Sequence, residues 1–218
     1  MEQLKKPQEL VEPDPRNHAF VVLDQAVAGG VRPSSAEDRY LEMEALDLPQ
    51  HIPVDIASAF AVARNLWMYG WFHWPFYALA GFQAHRCIEA ALRRRYEREQ
   101  STKGLAGKKG PPLKALLRTA IDKGWIRDDG FEHYRRLEAQ RRKQEESLGE
   151  LGWLPGDAPI RSPTQYSEIL ARNIPYLRNQ HAHGDGPLAL LFNQTRLDLE
   201  LARDVILQVI VADDKEAV

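Results

Sequence analysis

The chain has 218 residues, about one and a half domains at roughly 150 residues each, which leaves no room for two full enzyme domains. Hydrophobic residues at 44% and charged residues at 28% exclude wholesale disorder. The single cysteine, Cys87, excludes an internal disulfide and a cysteine-built zinc site, and the formal net charge of −2 argues against a generally basic nucleic-acid binder.

The charge is unevenly spread. Residues 1–50 hold 5 basic against 10 acidic side chains, whereas residues 93–145 are strongly basic. That basic stretch reads either as a face for a polyanion or as a salt-bridged pair of helix surfaces. The most apolar stretch, residues 54–92, is interrupted by Asp55, Arg64, Asn65, His73, Pro75 and Arg86, so no membrane span is expected. Met1-Glu-Gln-Leu-Lys-Lys lacks the apolar core of a signal peptide, and a lone thiol suits a reducing compartment. The expectation is a cytoplasmic protein.

Residues 1–52 read as an acidic, Pro-rich arm, with prolines at 7, 13, 15, 33 and 49 and one short helix around 19–28. From Pro53 the pattern becomes helical. Ile56, Phe60, Ala63 and Trp67 recur at spacings of three and four, which predicts a helix ending near Gly70. Trp74-Pro75 opens a second helix. Leu79, Phe82, Ile88, Leu92 and Tyr96 interleave there with Ala80, Ala84, Cys87 and Ala91, so it is apolar nearly all round and belongs in the middle of a bundle.

Arg93-Arg94-Arg95 ends that helix, and a polar, Gly-containing loop follows over residues 101–112. Leu113, Leu116, Leu117, Ala120 and Ile121 predict a short helix stopped by Gly124. Residues 128–148 are helical by propensity, with a thin apolar stripe. A loop at 149–163 precedes a helix over 164–182, in which Pro175 predicts a kink or a late start. The last helix spans about 194–211, with Leu197, Leu201, Val205, Ile206, Val209 and Ile210 on one side. No segment alternates with period two, so the expected fold is all-α: an antiparallel helical bundle over 53–212, with an extended amino-terminal arm and a short tail at 213–218.

The densest polar cluster is Leu177-Arg178-Asn179-Gln180-His181-Ala182-His183-Gly184. His181-Ala-His183-Gly-Asp185 resembles half of a metallo-hydrolase site. The metal reading is set aside on three counts. The position of the usual closing histidine is Gly186, no histidine follows His183, and helical rather than strand sequence precedes the cluster. A second reading takes Arg178-Asn179-x3-His183 as the unit. Composition alone gives about 0.015 chance occurrences of that pattern in a chain of this length, so its presence carries weight. Arg64-Asn65 and Arg172-Asn173 have no histidine four positions after the Asn.

With its flanks, the cluster resembles the Arg-Asn-x3-His signature of HEPN domains, helical modules of prokaryotic toxins, abortive-infection proteins and other RNases. The order of elements is similar too: a central helix carrying an acid, here Glu89, then further helices, the motif helix and a final apolar helix. The resemblance is specific at 177–184 and architectural over the rest of about 53–212. The amino-terminal arm and the charged helix at 128–148 depart from the compact family pattern.

What the resemblance implies is a metal-independent endoribonuclease that works without a cofactor. Its homodimer would place two motifs across a shared cleft, and its role would be that of a toxin or phage-defence effector restrained by an antitoxin or regulatory protein. Arg178, Asn179 and His183 would be catalytic, Glu89 and His181 supporting, and Arg93, Arg94 and Arg95 would bind RNA.

The residue types suit that chemistry. Histidine does proton work near neutral pH, and arginine stays charged and grips phosphate with a planar fork. A structural reading also stands, in which Arg178 and Asn179 cap carbonyls and His183 satisfies a turn. A different function stands beside it, a catalytically inactive module that binds nucleotide or protein as a scaffold. The aromatic run from Trp67 to Tyr77 reads as core and interface rather than as a base-stacking platform.

Overall fold

The computed structural model describes residues 4–103, 110–151, 166–183 and 191–214, with the side chains of 180–183, 191 and 211–214 left out of the description. Seven α-helices and one two-stranded hairpin are found among the described residues. The fold is all-α. It divides into two compact units: residues 1–87 with 180–199, and residues 88–179 with 200–218.

In the first unit the amino-terminal arm is ordered by specific contacts. The sequence predicts a short helix around 19–28. Instead, β1 (Val21–Leu23) pairs antiparallel with β2 (Val31–Pro33), Val22 facing Arg32. Gly29 and Gly30 both have positive φ, 93° and 72°, a backbone that side chains disfavour and that turns the chain back. A further helix, α1 (Ala36–Glu44), begins at a capping box in which Ser35 Oγ accepts the Asp38 N–H and the Asp38 carboxylate accepts the Ser35 N–H. Arg32 pins that carboxylate with two bonds of 2.7 Å.

Helix α2 (Val54–Tyr69) buries Ile56, Phe60, Ala63 and Trp67, the stripe its spacing predicts. Helix α3 (Phe76–Thr102) follows after a turn. Its amino-terminal half buries Tyr77, Ala80, Ala84, His85 and Cys87, while Leu79 is 49% exposed, so the small-residue face packs inward and the helix is not buried all round. The arm docks on the turn between α2 and α3. Asp14 N–H donates to the Trp71 carbonyl at 2.8 Å, Asn17 Nδ2 to the same oxygen at 2.7 Å, and the Asp14 carboxylate accepts the Trp74 N–H at 3.2 Å. Trp67, Trp74 and Tyr77 are thereby core, as expected, with Phe192 of α7 (Leu191–Asp214) 5.3 Å from the Trp67 ring and 5.0 Å from that of Tyr77.

The second unit contains the rest of α3, where Ile88, Ala91, Leu92 and Arg95 are buried. Helix α4 (Leu113–Asp122) buries Leu113, Leu116, Leu117 and Ala120 and stops at Gly124, whose φ is 69°. Helix α5 (Glu132–Glu150) buries no residue and is held by polar contacts: its Glu132 N–H donates to Asp204 at 2.8 Å, and Arg136 pairs with Glu200.

Helix α6 (Tyr166–His183) starts where Asp128 accepts the Tyr166 and Ser167 N–H groups at 2.9 and 2.8 Å. It continues through Pro175, so of the kink or late start expected from that residue the late start does not occur. On α7 the buried face includes Val205, Ile206, Val209 and Ile210, as the pattern predicts, but also Glu200, Ala202 and Asp204. Among the described residues, no helix is long and apolar enough to cross a membrane.

Candidate functional site

Glu89 and Arg178 are 89 positions apart in the chain and meet in the second unit. Arg178 Nη2 lies 3.7 Å from Glu89 Oε2, and Arg93 Nη2 donates to the other carboxylate oxygen, Oε1, at 2.8 Å. One acid on α3 is bracketed by two guanidinium groups, one from its own helix and one from the motif helix. The i, i+4 partner of Glu89 is therefore Arg93. His85 is fully buried in the first unit, with Nε2 3.4 Å from Asp198 Oδ1, an oxygen that also accepts from Gln194 at 3.1 Å.

Arg178 is half-buried, and its Nη1 donates to Asn179 Oδ1 at 3.4 Å; Asn179 is exposed. Ion pairs of this exposure contribute about 0–1 kcal/mol, so the Glu89 contact by itself orients Arg178 without locking it. The α6 backbone is helical through His183, so positions 179 and 183 lie one turn apart on one face. Position 178 lies about 140° around the helix from position 183. The His181 and His183 side chains lie outside the described residues, as does Asp185, so the arrangement of the imidazoles stays an expectation from sequence.

The three arginines read as one RNA-binding run diverge, because consecutive helical residues point about 100° apart. Arg93 turns to Glu89, Arg94 is exposed, and Arg95 is only 5% exposed, with Cζ 5.3 Å from the centre of the Trp125 ring. Among the described residues, no group of three or more His, Cys, Asp or Glu side chains is placed to hold a metal ion.

Sequence reasoning missed two buried polar pairs on α7, His85 with Asp198 and Glu132 N–H with Asp204. The acid at position 198 interrupts an apolar helix pattern and was the available signal. Comparison with family models, curated proteins and solved structures finds no match.

Proposed function

We propose that the protein is a metal-independent endoribonuclease of HEPN type, acting through Arg178, Asn179 and His183 in a cleft shared by two copies of the chain. The observation that carries this reading is the approach of the central-helix acid Glu89 to Arg178 of the motif helix. Continuity of α6 through His183 supports the dimeric form, because positions 178 and 183 of one continuous helix do not share a face.

In this mechanism His183 takes the proton of the ribose 2′-hydroxyl as the 2′-oxygen bonds to phosphorus, and gives it to the leaving 5′-oxygen as the bond from phosphorus to that oxygen breaks. Arg178 neutralises charge developing on the phosphorane oxygens, and Asn179 orients the phosphate. Glu89 is a positioning residue that acts through Arg178. The products are a 2′,3′-cyclic phosphate and a free 5′-hydroxyl.

The test is cleavage of single-stranded RNA by the purified chain in excess EDTA, with end-group analysis. Arg178→Ala and His183→Ala should each lower the rate by about 100-fold or more while melting behaviour stays near wild type. Strict dependence on added divalent metal would overturn the mechanism. Loss of melting temperature in both variants, with activity per folded molecule intact, would return these residues to a capping role.

A further inference from the structure

Helix α6 carries two opposed rows of residues, each spaced by four, three and four positions. In one row Ser167, Ala171 and Ile174 are buried, and Arg178 is half-buried at its end, where it meets Glu89. The other row is Arg172, Tyr176 and Asn179, all exposed, and the helix carries position 183 onto the same line. At about 100° per residue these four positions fall within an arc of about 60°, so the surface that holds Asn179 extends back along α6 through Tyr176 and Arg172. Tyr176 is 62% exposed, and Ile169, 42% exposed, borders the row.

These residue types are those of a single-strand nucleic-acid surface, which combines cations that follow the backbone with aromatic rings on which bases stack. Arg172 makes no hydrogen bond or ion pair among the described residues, so its guanidinium is open to a phosphate. The one acid of α6, Glu168, is already paired with Arg118, and from position 169 to 183 the helix has two arginines and no carboxylate. A polyanion is the complement of such a face. A second copy packed on it, α6 against α6, would bring the same cations and no acid.

We infer, resting on the endoribonuclease reading, that single-stranded RNA lies along the exposed face of α6, with a base next to the cleaved bond stacked on Tyr176 and a phosphate farther along held by Arg172. Asn179 is about 4.5 Å along the helix axis from Tyr176 and about 10 Å from Arg172, so Arg172 meets a different phosphate from the one that Asn179 orients. Tyr176 and Arg172 are substrate-binding residues. Contacts away from the reacting bond hold substrate and transition state equally, so they lower KM and leave kcat nearly alone.

Fluorescence anisotropy of the full chain with a short labelled 2′-O-methylated RNA, which keeps bases and phosphates but has no 2′-hydroxyl to react, reads the surface apart from cleavage. Tyr176→Ala should weaken binding about tenfold, the loss of one stacked base, and Tyr176→Phe should restore it. Arg172→Ala should lessen the slope of log affinity against log salt by about 0.7, the value for one phosphate on a single strand. Both positions are exposed, so melting temperatures should stay at the wild-type value, and on cleavable RNA both alanine variants should raise KM with kcat within about twofold. Affinity, salt slope and KM unchanged in both alanine variants overturn the surface, and leave the endoribonuclease reading standing if the wild type still cleaves. Binding that depends on Tyr176 and Arg172, with no cleavage of RNA by the wild type, upholds the surface and removes that reading. No binding by the wild type overturns the surface, and a change from dimer to monomer in light scattering on Tyr176→Ala overturns it in favour of a second copy on this face.

Discussion

Asp204 and Asp14 are both almost fully buried carboxyls, and the structure drives them in opposite directions. Burial dominates at Asp204 and, despite the Glu132 N–H bond and the nearby Arg203, raises its pKa from 3.8 to about 6. At Asp14 burial also pushes upward, but bonds from the Arg16 side chain and from the Arg16 and Trp74 N–H groups outweigh it, and the value falls to about 2. An acid with a raised folded pKa binds more protons when folded. Its stabilising contribution is therefore full below 3.8 and is lost as pH rises through about 6, whereas the contribution of Asp14 is present above 3.8 and lost only as pH falls toward 2. Asp204 is thus the one of the two that titrates between those limits, with about 3 kcal/mol at stake. Asp204→Asn keeps an oxygen for the Glu132 N–H and cannot ionise. In urea unfolding it should be more stable than wild type at about pH 7.5, and the gap should shrink to about a third by about pH 4.5 and close below 3.8. A gap of equal size at both values would rule out titration of Asp204 as its source.

At the level of elements, the turn from α2 to α3 is where most of the first unit converges. Gly70 ends α2 with an ordinary helical φ of −56°, so no left-handed backbone demands glycine there. Space does: a Cβ at this position would stand 2.5 Å from the ring of Tyr77, itself fully buried and packed edge-on against Trp67 and Trp74 at 5.6 and 5.0 Å. Gly70→Ala should therefore destabilise the protein by about 1–3 kcal/mol in chemical denaturation, the range for overpacking a core, although alanine is the better helix former. An unchanged midpoint would mean that Tyr77 can move aside. Helix α5 is the contrasting case, an element with no buried residue that is tied down by Asp204 at its amino terminus and by Glu200 along its side.

For the molecule as a whole, the proposed two-fold cleft makes a prediction that no single-chain site shares. Position 178 of a continuous helix faces about 140° away from position 183, so in the proposed mechanism a phosphate gripped by Arg178 and a proton moved by His183 call for two copies of the chain. Mixing inactive Arg178→Ala with inactive His183→Ala should then restore part of the activity through heterodimers. If mass spectrometry shows subunit exchange and no activity returns, each motif works alone or not at all.

Most helices of this protein were legible from period alone, since a stripe such as Ile56, Phe60, Ala63 and Trp67 specifies both a helix and its buried face within a few residues. The motif at 178–183 was legible for the same reason, its members being local. The hairpin at Val21–Pro33 was not, because three-residue strands are too short to show alternation, and their turn chemistry lay in two glycines that also suit a loop. Nor does spacing reveal that Glu89 meets Arg178, that Arg95 leaves a basic run to lie on Trp125, or that Asp14 reaches the Trp74 N–H. Each of those contacts joins segments far apart in the chain. Local pattern says which side of a helix is apolar, whereas the partner of a particular charge is decided only when the packed helices bring distant side chains within a few ångströms.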